Sequence, residues 1–295
     1  MSRPAPQVGA PRYGAVVLTQ GNRPAELRAA VESLLRQRDV TVDLVVVGNG
    51  WQPTGLPTGV KTLGLPENVG IPAGRNAGVP EVDGDLLFFL DDDEVLPEDT
   101  LLAEAARRFA ADPRLGMIQP RIDVLGGGEP PRRWTPRSRV GDRMRSGMAF
   151  QVLEGALAIR RDVFDAAGGW PGSFWYSLEG VELAWRVWDT GHTVRYEADL
   201  AAEHPLTQVT RHKDFYRLSG RNRMWLARRN LPLVFGVPYV MSWAGLQAAR
   251  SLRRPDNVRT YLAGTWEGLR TPTERRPLKW RTIARMTRYA RPPVW

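Results

Sequence analysis

Short apolar runs alternate with amphipathic segments along the first two thirds of the chain. The runs at 13–19 and 42–49 are rich in valine and leucine and are bounded by turn-forming residues, a pattern typical of buried strands. Between them, residues 25–38 carry leucine and valine at helical spacing and follow Pro24, which suits a first helical turn. The alternation continues to about residue 205 and favours an α/β domain with a mostly parallel sheet flanked by helices.

The hydrophobic pattern changes after His204. Residues 231–249 run for 19 positions without a charge, and arginines flank them on both sides. This length approaches that of a membrane span, but two prolines and two glycines within the segment argue against one straight helix. We therefore predict an interfacial or re-entrant segment. The expected division is a flexible N-terminus (1–12), an α/β domain (13–205) and a basic, partly apolar helical appendage (206–295).

Charge is distributed unevenly along the chain. The net charge is +9, yet residues 204–295 hold 19 Lys and Arg against 4 Asp and Glu, a net +15, so residues 1–203 carry a net −6. Such asymmetry suggests an anionic partner, either a nucleic acid or an anionic membrane surface. The N-terminal residues lack the apolar run of a secretory signal, so we expect a cytoplasmic protein, with peripheral attachment to the inner membrane face as an option.

The absence of cysteine excludes disulfide frameworks, cysteine–zinc sites and thiol catalysis.

The predicted fourth strand ends in three consecutive aspartates, Asp91, Asp92 and Asp93. Their like charges repel one another unless a cation neutralises them. While the strand persists, Asp92 points to one face and its two neighbours to the other, which leaves a D-x-D pair. Oxygen ligands of this kind suit Mg²⁺ or Mn²⁺, which share their coordination sphere with substrate phosphates. The alternative is a solvated acidic turn in which Glu94 is one more surface acid.

An ordered set of segments across residues 13–205 resembles the family 2 glycosyltransferases of GT-A fold. The segments are AVVLTQGNRP, VDLVVVGNG, ENVGIPAGRNAGV, DGDLLFFLDDDEVLP, EGALAIRRDVFDAAGGW and LEGVELAWRVWDTGHTVRYEADLAAEH. The resemblance implies transfer of a sugar from a nucleotide-diphosphate donor to an acceptor hydroxyl, with inversion at the anomeric carbon. Because members of this family act on many classes of acceptor, the expectation of a glycan or lipid-linked acceptor in cell-envelope synthesis rests mainly on the basic end of the chain.

The resemblance also implies a donor site. Asp91 and Asp93 would hold Mn²⁺ or Mg²⁺ against the donor diphosphate, and His204 would complete the metal site. The residues implied in binding a UDP- or dTDP-sugar are Thr19, Asn22, Arg23, Asn49, Asn68, Arg75, Asn76 and Asp91. One departure affects the nucleoside end, because Gly48 stands where the family commonly has an aspartate.

A second departure affects the general base that an inverting transfer needs. The family usually takes its base from a Glu-Asp pair at the start of a helix, and here the pair reads Glu179-Gly180, followed by Glu182. Glu179 is the favoured base because it keeps the first position of the pair, and Glu182 is the second candidate. A third reading is a homologue that binds a nucleotide sugar without catalysis.

Two further protein classes compete with a transferase. A nucleic-acid-binding protein would fit the basic end, but the chain has no recognised binding motif and its acidic body would repel a polyanion, so we expect no nucleic acid partner. A sugar nucleotidyltransferase would need a Gly-rich basic loop after the first strand, and TQGNRP is a poor match.

Overall fold

A computed structural model describes residues 9–136, 141–206 and 214–289. Most of the predicted flexible N-terminus, residues 1–8, lies outside them. The strands of the described part are β1 (Arg12–Thr19), β2 (Thr41–Asn49), β3 (Lys61–Leu65), β4 (Leu86–Asp91), β5 (Leu115–Val124), β6 (Gly147–Met148), β7 (Ala156–Arg160) and β8 (Thr193–His204). The helices are α1 (Pro24–Leu35), α2 (Ile71–Gly78), α3 (Leu101–Ala111), α4 (Arg161–Ala167), α5 (Glu179–Thr190), α6 (Phe215–Asn230), α7 (Leu233–Arg250), α8 (Pro255–Arg270) and α9 (Trp280–Tyr289).

The described strands form one sheet in the order β3-β2-β1-β4-β7-β5-β8-β6. β3, β2, β1 and β4 are parallel, β7 is antiparallel to both β4 and β5, and β8 is parallel to β5. The carboxyl ends of β1, β2, β4 and β8 therefore lie at one edge of the sheet, where open α/β sheets bind ligands. The predicted α/β architecture is confirmed.

Apolar side chains cover both faces of the sheet. Successive residues of β1 alternate, so Val16 packs with α4 and α5 on one face while Ala15 and Val17 pack with α1 and α3 on the other. The first layer includes the fully buried Trp188, and the second includes Phe109. Helices pack on both faces of the sheet, and this packing fixes the positions of the residues at its carboxyl edge.

Two strand boundaries depend on contacts with residues far along the chain. Residues 151–155 are not part of a strand, and β7 begins only at Ala156, because the backbone N–H of Leu153 donates to the side chain of Gln119 rather than to a neighbouring strand. β8 continues to His204, and it pairs with β5 across a register shift. The longer strand carries His204 to the same edge of the sheet as the aspartates.

The basic C-terminal region is helical, as predicted. α6 and α8 pack closely because glycines face backbone: a Cβ on Gly220 would collide with the carbonyl of Tyr261, and one on Gly264 with that of Arg217. α7 contains all but the first two residues of the uncharged segment and has Pro238 inside it. No helix in the described part of the chain is long and apolar enough to cross a bilayer.

Candidate active site at the carboxyl edge of the sheet

The acidic turn after β4 is held by two arginines. Arg75 of α2 forms an ion pair with Asp91, and Arg23 contacts both Asp92 and Asp93. Asp92 also accepts a hydrogen bond of 2.6 Å from the hydroxyl of Thr19. The alternation expected of a strand stops at Asp91, because the chain turns there, so the next two aspartates share one guanidinium.

Three potential metal ligands meet beside this turn. One ligand atom from each of Asp91, Glu94 and His204 lies within 4.8 Å of the others. The Glu94 side chain is only 3% exposed, and its Oε2 has no hydrogen-bond partner in the described part of the chain. Burial, followed by the charge of Asp91, raises the pKa of Glu94 well above its usual value. Two carboxylates and an imidazole with an unsatisfied oxygen fit a divalent cation such as Mn²⁺ or Mg²⁺.

Asp93 lies at the margin of this group. Its Oδ1 is 3.5 Å from Nε2 of His204, and its other oxygen contacts Arg23. Asp93 is therefore close to the imidazole that the sequence placed in the metal site, whereas Glu94 is the acid that joins Asp91 and His204.

Arg75 is a buried cation at the centre of the acidic groups. Its side chain is 2% exposed, and the guanidinium lies 5.0 Å from the ring centre of Trp170. Burial alone would raise the pKa of Asp91, but the charges of Arg75 and His204 outweigh this effect and hold the pKa below its usual value. Asp91 is thus kept ionised, as a metal ligand requires.

The four asparagines that the sequence assigns to donor binding differ in their exposure and in their hydrogen bonds. Asn49 is buried: its amide donates to Asn68 over 2.9 Å and accepts from the backbone N–H of residue 69, so it shapes the loop before α2. Asn76 uses both ends of its amide on the backbone of Trp170, at 2.8 and 3.0 Å. Asn22 and Asn68 are exposed at the edge of the site, where a ligand can reach them.

The segment before α5 is strained. Trp175, Ser177 and Leu178 all have positive φ values, between 64° and 76°. Residues other than glycine adopt this backbone only where surrounding contacts enforce it. The buried Asn222 of α6 supplies such contacts, because its amide donates to the carbonyls of residues 174, 176 and 177. The helix after the α/β domain thus fixes where α5 begins.

Two carboxyl groups lie at the start of α5. Glu179 is 3% exposed, and burial, with the charge of Glu154 next, raises its pKa to about 8. Glu154 accepts a 2.8 Å hydrogen bond from the backbone N–H of Gly180. Burial raises the pKa of Glu154 as well.

Glu182 lies in a different environment from Glu179. Its carboxylate receives a 2.9 Å ion pair from Arg229 of α6, and Arg186 is also near it. Burial raises the pKa of Glu182 against the effect of these arginines. The geometry therefore places Glu179, and not Glu182, beside Arg75 and Asp91.

Sequence reasoning missed two acids of the site. Glu94 was considered only as a surface acid, although it directly continues the run of three aspartates. Glu154 lies within the resembling segment EGALAIRR, but no spacing rule links it to a helix that begins 25 positions later. Only the pairing of β7 with β4 brings this segment to the site.

Sequence comparisons identify the family. The model of Glycosyl transferase family 2 matches residues 15–168, which is over half of the chain. The "Pre-mycofactocin glycosyltransferase" of Mycobacterium tuberculosis, from strains CDC 1551 / Oshkosh and ATCC 25618 / H37Rv, is 29% identical over 259 residues. The match covers 81% of this chain and 53% of each relative, so the chain spans about half the length of the curated relatives it matches.

Solved structures share the fold. The Staphylococcus aureus TarS 1-349 structure in complex with UDP-GlcNAc superposes with a TM-score of 0.62 at 12% identity, covering 92% of this chain and 83% of that one. The mannosyltransferase PcManGT from Pyrobaculum calidifontis, in complex with GDP-Man and Mn²⁺, gives 0.56 at 16% identity, covering 96% and 81%. These likenesses confirm the GT-A-like sheet with its C-terminal helices. The chain belongs to the family 2 glycosyltransferases.

Proposed function

We propose that this glycosyltransferase moves a sugar from a nucleotide-diphosphate donor to an acceptor hydroxyl, with inversion and with the help of a divalent cation. One observation carries the proposal. The potential metal ligands Asp91, Glu94 and His204 lie close together, and buried carboxyl groups at the start of α5 are near them. A cation site beside a potential base is what an inverting transfer requires. Inversion itself is implied by the family resemblance.

The metal would be Mn²⁺ or Mg²⁺, held by Asp91, Glu94 and His204. When bound, it would neutralise the negative charge that develops on the leaving diphosphate. Asp93, the other ligand expected from the sequence, lies 3.5 Å from the imidazole of His204 and would orient that ring. The solved structure of PcManGT with GDP-Man and Mn²⁺ supports the use of a metal.

The donor would lie along the carboxyl edge of the sheet. Arg23, Asn22 and Asn68 are at least partly exposed there and would contact the nucleotide, while Arg75 would keep the acidic groups around the diphosphate charged. Thr19, Asn49 and Asn76 would act by holding the surrounding turns. We propose a UDP- or dTDP-sugar, and the TarS structure with UDP-GlcNAc supports a uridine nucleotide.

The acceptor proton would be taken by a carboxylate at the start of α5. The sequence offers Glu179 and Glu182 for this role. The ion pair with Arg229 argues against Glu182, because it holds this carboxylate beside α6, where Arg229 and Arg186 are the charges that act on it. Glu179, with Glu154 beside it, remains next to Arg75 and Asp91.

The acceptor would be a glycan or a lipid-linked molecule of the cell envelope, reached from an anionic membrane surface. Apolar side chains on α7 are exposed in the described structure, Leu233 by 74%, and Val234, Val237 and Met241 similarly. They occur within the region that carries a net +15. Exposed apolar groups among arginines suit the headgroup layer of a membrane.

A thermal-shift panel of nucleotide sugars, each with and without Mn²⁺, tests donor and metal together. We expect a uridine or thymidine nucleotide sugar to raise the melting temperature, and Mn²⁺ to enlarge the increase. An unchanged melting temperature with every donor would contradict the proposal. Mn²⁺-dependent hydrolysis of the stabilising donor would then separate an active transferase from a non-catalytic homologue. The second alternative arises because Gly48 and Gly180 depart from the family pattern.

A further inference from the structure

The space beside Gly180, where a side chain would lie, is occupied by Glu154 and by the backbone of Val152. An ideal Cβ built on Gly180 would lie 2.5 Å from the carbonyl oxygen of Val152 and 2.6 Å from Oε1 of Glu154. Both distances are shorter than real Cβ contacts, so no side chain fits at position 180 unless these groups move. An aspartate at position 180 would therefore require Glu154 and the backbone of Val152 to move.

The Glu154 carboxylate lies next to the position that an aspartate side chain at 180 would take. The 2.6 Å from the ideal Cβ to Oε1 is close to the separation between Cβ and a carboxylate oxygen within one aspartate side chain. The backbone N–H of Gly180 holds this oxygen at 2.8 Å. Glu154 is also partly exposed, whereas Glu179 is buried, so an acceptor can reach Glu154 more easily.

We infer that Glu154 is the base that accepts the proton of the acceptor hydroxyl, in the place of the aspartate that position 180 lacks. The inference rests on the proposed transfer. The acceptor oxygen forms a bond to the anomeric carbon, and its proton moves to a carboxylate oxygen of Glu154. The bond between the anomeric carbon and the diphosphate oxygen breaks, and its electron pair leaves with the nucleoside diphosphate.

Glu179 and Glu154 lie in unlike environments. Oε2 of Glu179 has no hydrogen-bond partner in the described residues, and with a pKa of about 8 this group is mostly protonated near neutral pH. Burial raises the pKa of Glu154 as well, but the N–H of Gly180 opposes this effect because it favours the charged carboxylate. Asp91 and Arg75 also face the pair, the first opposing ionisation and the second favouring it. Two carboxyls in unlike environments commonly take unlike roles.

The test compares Glu154→Gln with Glu179→Gln in donor hydrolysis, where water serves as the acceptor. The probe is the nucleotide sugar that stabilises the wild type most, with Mn²⁺ present. We expect Glu154→Gln to lower kcat by about 10²- to 10⁴-fold and to leave the dissociation constant for the nucleoside diphosphate unchanged. Glu179→Gln should lower kcat less. Glu32→Gln, an exposed change on α1, is the matched control and should behave as wild type.

The outcomes separate the inference from the proposed function. A wild-type rate in Glu154→Gln, a larger loss in Glu179→Gln, or a loss of nucleotide binding together with turnover would each overturn the role of Glu154. A wild type that hydrolyses no donor would overturn the proposed function itself. Glu154→Asp keeps a carboxylate, so at an equal folded fraction it should be more active than Glu154→Gln, and equal rates would also contradict the inference.

Discussion

At the scale of single residues, two glycines mark where this chain departs from its family. Gly48 stands where an aspartate is common, and a side chain there would collide with the carbonyl oxygen of Trp51. Gly180 stands where the usual base would be, and the Glu154 carboxylate fills its space. In both places a neighbouring oxygen lies too close to the Cβ position for a side chain to fit without movement. Only at Gly180 does that oxygen belong to a carboxylate.

Glu94 provides a test of the metal site at this scale. Glu94→Gln removes one charged ligand next to Asp91 and His204, so we expect the Mn²⁺ dissociation constant to rise by about 10- to 100-fold, as for other changes around metal ligands. Isothermal titration with Mn²⁺ measures the effect, and Glu32→Gln serves as the control. Unaltered Mn²⁺ affinity in Glu94→Gln would remove Glu94 from the site.

The raised pKa of Glu179 predicts that the stability of the fold depends on pH. The folded-state pKa of about 8 lies above the ordinary glutamate value of 4.5, so the unfolded chain releases this proton first and stability is lost as pH rises from about 4.5 to 8. In the absence of metal and donor, Glu179→Gln should therefore gain stability relative to wild type as pH increases. Melting temperatures of both proteins at pH 5 and pH 8 measure this. A difference that does not grow with pH would contradict a neutral Glu179.

At the scale of elements, α6 supports the candidate active site through contacts with α5 and with the segment before it. Asn222 secures the strained segment before α5, and Arg229 pairs with Glu182 on α5 itself. α6 belongs to the region 206–295 that the sequence separates from the catalytic domain. Its contacts make it a structural support of the site.

Asn222→Ala tests this support. The change removes the donor for three backbone carbonyls in buried or partly buried contacts, so we expect a loss of about 1–3 kcal/mol in the free energy of unfolding. Turnover should fall at temperatures where the variant remains folded, because the start of α5 would no longer be fixed. Denaturant unfolding and donor hydrolysis measure the two effects, with Asn257→Ala on α8 as the control. Full activity in a destabilised Asn222→Ala would show that the strained segment does not position the base.

At the scale of the whole molecule, the charge is divided between two regions of the chain. The net −6 of residues 1–203 includes the carboxyls proposed to hold a cation, whereas the net +15 of residues 204–295 lies with the exposed apolar face of α7. A surface with both features gains energy from anionic lipid headgroups and from apolar burial.

Membrane attachment is tested with vesicles containing phosphatidylserine. We expect binding at low ionic strength that weakens as salt is added, because salt screens the arginines. Val237→Asp with Met241→Asp should weaken binding further without changing donor hydrolysis, since both side chains are exposed on α7. Wild-type binding by this double variant, or no binding to anionic vesicles at low salt, would contradict the proposed surface.

Much of the fold could be predicted from the sequence, because burial imposes a local period on strands and helices. The strands before Asp91 and the helix after Pro24 follow from that period and from turn residues nearby. Boundaries were less predictable: β7 begins at Ala156 because Leu153 is held by a side chain of β5, a contact that no local pattern records.

The sequence by itself determined the α/β class, the acidic run after a strand, the likeness to family 2 glycosyltransferases and the separation of charge. These follow from local composition, periodicity and the order of motifs. Only the tertiary structure decided which acids share the site, because Glu94, Glu154 and His204 reach it through a turn and two strand pairings. Ligand and base geometry depend on distances between segments far apart in the chain, and those distances are set by packing.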